Sequence, residues 1–481
     1  MICNVKNRSV FCEDNIDVLE GVNNSCIDLI YLDPPFNKND TFVGSGKRIK
    51  EIKNYFLNLQ ETGKFLDEDF EEIFHEENPA SFKDIWKETD INLRWYTEIG
   101  DRKPELIPYL KGIRSFTMSG GYYYLIFMAI RILEMHRILK DTGSVYLHCD
   151  PTMSHYLKGL MDVIFGKENF RNEIVWAYRT GGVSTKYFPR KHDIILCYVK
   201  TKKASFHPSQ ERIFYEKPFF TTKKDRQGRW YSDVYVRDTW DTGNGVESSL
   251  APLINVSRER VGYPTQKPLA LLERIIQASS NKGDMVLDPF CGCATTCLAA
   301  EGLNRQWIGI DWGKPAYYML YYRLRNTHAL LQEGKAPPAI QPQKNLPQRS
   351  DITEKEQKEL AERKRAKDAV SKIRKDKKPK LSPKDKQLVR DLLYEDQTGM
   401  CAGCDVYMRP SDLTLDHIFA QAKGGEDDLD NLQLLCYRCN VWKSDESMMK
   451  LFEKLLEEGI ISKGTYNKQV AKWRTKEKEI G

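Results

Sequence analysis

Two stretches decide how this chain folds. The first is Cys26-Ile27-Asp28-Leu29-Ile30-Tyr31-Leu32-Asp33-Pro34-Pro35-Phe36. The second is Met285-Val286-Leu287-Asp288-Pro289-Phe290-Cys291-Gly292-Cys293-Ala294-Thr295-Thr296, with Trp307-Ile308-Gly309-Ile310-Asp311 soon after. Each opens as a short apolar run of strand type and breaks at an aspartate followed by proline. Around them, Gly121–Leu139 reads as a helix stopped at Asp141-Thr142-Gly143, Ser144–His148 as a strand, and Pro268–Ala278 as a helix stopped at Asn281-Lys282-Gly283. Thr296–Ala300 opens a further helix. Strand alternating with helix predicts an α/β domain built on a mainly parallel, doubly wound sheet. Such sheets bind ligands at the carboxyl ends of their strands, where Asp33, Asp288 and Asp311 are expected. The small residues 292–294 suit a tight turn against a cofactor. Asp311, about 20 residues on, suits a ribose diol.

Composition narrows the field. The chain has 481 residues, 41% hydrophobic and 30% charged, which suits two to four globular domains. The longest apolar run, Tyr122–Ile130, ends at Arg131 and is too short to cross a bilayer. The N-terminal residues carry no apolar signal core, and the twelve cysteines suit a reducing compartment, so a cytoplasmic protein is expected. The net charge of +6 is matched by one segment, 351–390, where 15 Lys/Arg face 8 Asp/Glu. That segment reads as a solvated helix or tether, with a DNA-tracking arm as the alternative. The Pro- and Gln-rich residues 332–350 read as a linker. The expected domains are 1–330, a linker over 331–385, and 386–481. Gly44-Ser45-Gly46-Lys47 is the tail of a phosphate loop without its upstream glycine, so no ATP-driven step is indicated.

With these motifs in view, residues 1–330 resemble a beta-class amino-methylating DNA methyltransferase, of the adenine-N6/cytosine-N4 family. There the catalytic Asp-Pro-Pro-aromatic motif precedes the cofactor motif in the chain. Further agreement lies in Asn37-Lys38-Asn39-Asp40, Asp162-Val163-Ile164-Phe165-Gly166, Asn172-Glu173-Ile174-Val175-Trp176 and Tyr263-Pro264-Thr265-Gln266-Lys267-Pro268. The resemblance implies a Rossmann-like fold with circularly permuted motif order, S-adenosylmethionine as cofactor and double-stranded DNA as partner. It implies catalysis by Asp33, Pro34, Pro35 and Phe36 on a base flipped out of the duplex. Asp33 and the Pro34 carbonyl would accept hydrogen bonds from the target amine, and Phe36 would stack on the base. Cofactor contacts are implied for Asp288, Pro289, Phe290, Gly292, Thr295, Asp311, Thr265 and Lys267. Aspartate at the first motif position points to adenine N6, with cytosine N4 as the alternative. Ala294 departs from the family, which usually has glycine there. Target recognition is implied within 201–260, where Lys223, Lys224, Arg226, Arg229, Trp230 and Tyr231 suit phosphate contact and base stacking. An ordinary polar surface is the competing reading. The insertion 41–118 has no assigned role.

Near the other end, Cys401-x2-Cys404 and Cys436-x2-Cys439 have the spacing of a closed, structural zinc site. Asp416-His417, Asn431, Asn440 and Lys443 lie between and beside them. Together they resemble an HNH endonuclease domain, a small zinc-stapled ββα-metal fold. The resemblance implies His417 as general base, Asp416 and Asn440 as ligands of one hard ion such as Mg²⁺, and Asn431 as a support for His417. Lys443 is either a phosphate contact or a solvated helix lysine. The expected whole is a methyltransferase fused to a nuclease, a single-chain restriction-modification enzyme. A zinc DNA-binding module without cleavage, or a phage or mobile-element nicking nuclease, are the alternatives. No membrane partner is expected, and the oligomeric state stays open, a homodimer among the alternatives.

Overall fold

The structure, a computed structural model, describes residues 3–36, 40–42, 46–62, 82–84, 86, 94–114, 119–178, 183–218, 220–242, 250–253, 259–326, 340–343, 345–353, 383–397, 399–419 and 431–480. Asn37-Lys38-Asn39, Gly44-Ser45, residues 63–81, 87–93 and 115–118 of the insertion 41–118, and the basic stretch from 354 to 382 lie outside the described residues. The chain divides into two compact units, one formed by 1–91 with 99–351 and the other by 92–98 with 352–481.

In the first unit the elements run β1 Ser9–Cys12, α1 Asn15–Gly21, β2 Ile27–Leu32, α2 Ser119–Ile138, β3 Leu139–Cys149, α3 Ser154–Phe165, β4 Phe170–Ala177 and β5 His192–Val199. Then come β6 Gln210–Tyr215, β7 Lys223–Lys224, β8 Trp230–Tyr235, β9 Thr239–Asp241, α4 Leu269–Ser279, β10 Met285–Asp288, α5 Thr295–Gly302, β11 Gln306–Asp311, α6 Pro315–Asn326 and β12 Gln341–Pro342. Nine strands form one sheet in the order β9-β4-β5-β3-β2-β10-β11-β1-β12. Every pairing is parallel except the two made by β5. Helices α1, α2 and α3 pack together, as do α4, α5 and α6. Strands covered on both faces must be apolar throughout, and β2 is buried at all six positions.

Two features depart from the sequence reading. Strand β5 runs against its neighbours, because it returns from β4 by a connection with no helix in its described part and so needs no crossover. The tail of the stretch read as a linker belongs to the first unit. Gln341–Pro342 extends the sheet beside β1, Ile340 is buried in the core, and Ser350 and Asp351 accept hydrogen bonds from Asn23 and from the Asn24 amide. A proline is tolerated there because the strand lies at the sheet's edge.

The second unit contains α7 Pro383–Asp396, β13 Leu413–His417, β14 Leu432–Cys436, α8 Tyr437–Lys443, α9 Met448–Glu457 and α10 Lys463–Ile480. Strands β13 and β14 pair antiparallel, and α8 follows directly. Its core gathers Val389, Leu393, Leu434, Leu451 and Phe452 around the four cysteines. No described helix is long and apolar enough to cross a membrane.

Candidate active sites

Strands β2, β10 and β11 are neighbours in the sheet, so their carboxyl ends bring Asp33, Asp288 and Asp311 to one edge. Asp311 accepts hydrogen bonds from the Gly292 amide (2.8 Å) and the Gly313 amide (3.0 Å), which tie the loop after β10 to the end of β11. Burial pushes its carboxyl above the ordinary range, while these two bonds pull it back down. Asp288 is turned into its own loop, where it accepts from the Phe290 amide (3.1 Å). Burial pushes its carboxyl up to about 7; bonds from Thr296 and the Phe290 amide pull it down, and the charges of Asp33 and Asp311 add to the rise.

The loop's shape depends on residues 292 and 294. Gly292 has φ +48°, and a Cβ there would sit 2.9 Å from the Tyr263 ring. Ala294 also adopts a left-handed conformation, φ +56°, at the start of α5, although it carries a side chain. The Pro289 carbonyl accepts from Asn15 (2.7 Å), which is itself held by the fully buried Arg131 of α2 (2.6 Å). Phe290 lies with its ring centre 6.1 Å from that of Phe127. Thr295 faces inward and accepts from Arg323 (2.8 Å). Thr265 is exposed, with φ +57°.

Asp33 and Phe36 stand beside this loop. The Asp33 Oδ2 is ion-paired with Lys267, while its Oδ1 is buried with no hydrogen-bond partner among the described residues. Expected as a cofactor contact, Lys267 is found paired with Asp33 of the Asp-Pro-Pro-Phe motif. Its ammonium also donates to the Thr265 carbonyl (3.3 Å) and lies 5.5 Å from the centre of the Phe36 ring. Phe36 stacks on His148, with centroids 6.0 Å apart and planes at 20°.

The sequence reading missed His148. It is fully buried near the end of β3, hydrogen-bonded through Nδ1 to the Tyr31 hydroxyl (2.9 Å) and through Nε2 to Asp193 (3.3 Å). A histidine in an otherwise apolar strand, ending at the ligand edge, was the available signal. Trp312, 86% exposed and directly after Asp311, was missed too.

Strands β6, β7 and β8 form a separate small sheet within the region expected to read DNA. On one face, Arg212 lies over Tyr231 (3.8 Å) and Arg229 over Phe214 (4.2 Å). Asp233 and Asp225 hold these guanidinium groups in place. Flat cationic and aromatic surfaces of this kind can stack on bases.

In the second unit, the sulfur atoms of Cys401, Cys404, Cys436 and Cys439 lie within 4.8 Å of one another, and all four residues are buried. Tetrahedral zinc with Zn–S bonds of ~2.3 Å needs sulfurs about 3.8 Å apart, so the cluster fits zinc. Gly403 in the first turn is required: a Cβ there would meet Cys439 Sγ at 2.9 Å. Among the described residues no other cysteine, histidine or carboxylate group of this kind occurs, the trio Cys291, Cys293 and Cys297 included.

Helix α8 packs its Asn440 and Lys443 against β13. Asn440 donates its amide nitrogen to Thr414 (3.0 Å), which leaves its oxygen as the end able to bind a cation. Asp416 is held by Lys443 (3.1 Å) and Gln433 (2.9 Å). Lys443 is fully buried and also donates to the His417 carbonyl (2.7 Å). It is thus neither a solvated lysine nor a phosphate contact; its charge is spent inside the domain on Asp416. Asn431 clips the segment after His417, donating to the Phe419 carbonyl (3.1 Å) and accepting from its amide (2.7 Å). Gly424-Gly425 lies outside the described residues.

Comparison with known proteins agrees with this division. A family profile described as DNA methylase matches residues 27–321, and one described as HNH endonuclease matches 400–446. The chain is 30% identical over 303 residues to the Type II methyltransferase M.EcaI of Enterobacter cloacae, covering 48% of this chain and 66% of that protein. It is 33% identical over 201 residues to the Type II methyltransferase M.HpaI of Haemophilus parainfluenzae, covering 42% and 59%. It is 30% identical over 229 residues to the DNA adenine methyltransferase YhdJ of Escherichia coli, covering 46% and 74%. The chain thus spans just under two thirds of the length of the first two of these relatives.

Proposed function

The chain belongs to the DNA methylase family and carries an HNH endonuclease domain, and on that premise we propose that it methylates an exocyclic amine in double-stranded DNA and cuts DNA that lacks the mark. One observation carries the first half. Asp33 presents a buried, unpartnered carboxylate oxygen beside Phe36, at the same sheet edge as the Gly292–Asp311 loop.

When bound, S-adenosylmethionine supplies a methyl group activated on a sulfonium. The donor set fits it: Asp311 keeps spare lone pairs for a ribose diol, Trp312 offers an exposed ring beside it, and the Gly292 turn leaves room for close approach. An amine conjugated to a base ring is a poor nucleophile. Asp33 Oδ1 and the Pro34 carbonyl accept its two N–H bonds and return lone-pair density to nitrogen. Two prolines in succession hold that carbonyl in a fixed direction. Phe36, braced by His148, stacks on the extruded base. The nitrogen–carbon bond forms as the carbon–sulfur bond breaks, and the amine gives up one proton. Adenine N6 is the favoured target, since the motif begins with aspartate and one relative is named as an adenine methyltransferase; cytosine N4 is the alternative.

In the nuclease unit, His417 serves as general base. Asp416 and the Asn440 oxygen hold a divalent ion such as Mg²⁺, which absorbs charge on the phosphate. Zinc on the four cysteines is structural. The β6–β8 sheet contacts DNA, and the thiolates suit a cytoplasmic setting.

The test is nucleoside mass spectrometry of DNA from cells making His417→Ala protein with or without Asp33→Ala, followed by digestion of both DNAs with purified wild-type protein and Mg²⁺. One methylated base, lost in the double variant, and cleavage confined to the unmethylated DNA are expected. Equal cleavage of both would remove the restriction role.

A further inference from the structure

Lys267 sits on the catalytic carboxylate, on the oxygen next to the one the target amine needs. Its nitrogen is bound to Asp33 Oδ2 and lies 5.5 Å from the centre of the Phe36 ring. Under the function proposed above, on which this inference rests, the target amino group must also bond Asp33 beside that ring. Both partners of the existing pair are shielded, Lys267 at 8% side-chain exposure and Asp33 at 17%, so solvent screens the pair poorly.

The target amine could reach the vacant Oδ1 while Lys267 kept Oδ2. Charge argues against it. The amine nitrogen becomes cationic as the methyl group arrives. The positive charge passes from the donor's sulfur onto an amine that shares Asp33 with the ammonium, and repulsion between the two opposes transfer. The ammonium would also draw from Asp33 the density it must lend the amine. Lys267 therefore has to leave Asp33 before transfer.

The segment bearing it is able to change. Thr265, two residues earlier, is a β-branched residue held in the left-handed region, φ +57°, which persists only where the surroundings impose it. One contact that does so is the bond from Lys267 to the Thr265 carbonyl. The other carboxylates at this edge are already engaged, Asp311 by two amides and Asp288 by its own loop. The anions that arrive with the reaction are the DNA phosphates and the amino-acid carboxylate of the methyl donor, and the carboxylate is the one that comes with the donor to this sheet edge.

We infer that Lys267 is a latch on the catalytic motif: it holds Asp33 as the structure shows and is drawn off by the donor's carboxylate, so that the target amine is captured only when the donor is present. Donor and target base then bind with positive coupling, and the coupling must be reciprocal.

The test uses the full-length protein and a duplex carrying 2-aminopurine at the modified position, once modification mapping has given the site. Fluorescence reports base extrusion. S-adenosylhomocysteine has the carboxylate; methylthioadenosine has the same nucleoside and thioether without it. For wild type, the first should tighten capture of the extruded base at least tenfold and the second less than twofold. In Lys267→Met and Lys267→Gln, checked for unchanged thermal unfolding, extrusion should no longer depend on either compound, and S-adenosylhomocysteine should bind at least tenfold more weakly. Lys267→Arg should restore part of the coupling. Equal coupling by the two compounds, or wild-type coupling in both neutral variants, overturns the latch. Transfer of label from tritiated donor by wild type separates the two failures. Methylation without coupling sinks the latch alone, and absence of methylation sinks the function on which it rests.

Discussion

Ala294 carries backbone strain in the middle of the loop expected to face the cofactor. A left-handed alanine costs ~1–2 kcal/mol, while glycine adds ~0.5–1 kcal/mol of unfolded-chain entropy. Ala294→Gly should therefore stabilise the first unit by about 0.5 kcal/mol in thermal or denaturant unfolding; a loss of stability would mean that the methyl group packs better than the strain implies. Asp288 gives a pH dependence with a definite sign. Its carboxyl sits at about 7 when folded, chiefly through burial, against an ordinary value near 3.8. The folded state thus binds the extra proton between those values, and stability falls as pH rises through them. Asp288→Asn should lose that slope, so its melting temperature relative to wild type should rise between pH 5 and pH 8. A difference that stays constant with pH would remove Asp288 as the source. At this scale the chemistry was largely legible, because Asp33, Asp311 and the four cysteines sit in short motifs. His148, Gln433 and the burial of Lys443 were not. Each depends on a partner from a distant part of the sequence, and a single polar residue in an apolar strand does not name its partner.

Elements were read more securely than their edges. The strands ending at Asp33, Asp288 and Asp311 follow from apolar runs broken by proline or glycine, and the sheet confirms them. The reversed direction of β5 was not legible, since strand direction leaves no mark on apolar pattern. Gln341–Pro342 was missed because two residues on a sheet edge carry no period. In the HNH unit, β13, β14 and α8 are short, and the four-cysteine cluster brings the turn at 401–404 to the end of β14 and the start of α8. Metal binding in such a domain is folding free energy. Chelation, with Mg²⁺ then restored in excess, should therefore release one zinc and abolish DNA cleavage and the unfolding transition of this unit, leaving methyl transfer intact. Cys436→Ser should do the same without chelator. Retained cleavage after zinc release would contradict a structural role for the metal.

For the molecule as a whole, two compact units each carry one constellation: a carboxylate edge with the Gly292 loop in the first, and a hairpin beside a four-cysteine cluster with Asp416, His417 and Asn440 in the second. Marking and cutting need opposite outcomes at the same DNA, so a fusion that performs both must make the first prevent the second. All of it depends on Asp33 acting on an extruded base. The most direct measurement is base-resolved sequencing of DNA from cells expressing the protein with Asp33 wild type or changed to Ala, each carrying His417→Ala to silence cleavage, at equal protein levels. We expect N6-methyladenine confined to one short sequence context where Asp33 is kept, and a loss of at least a hundredfold where it is changed. A methylated base that persists at wild-type level without the Asp33 carboxylate would contradict the account.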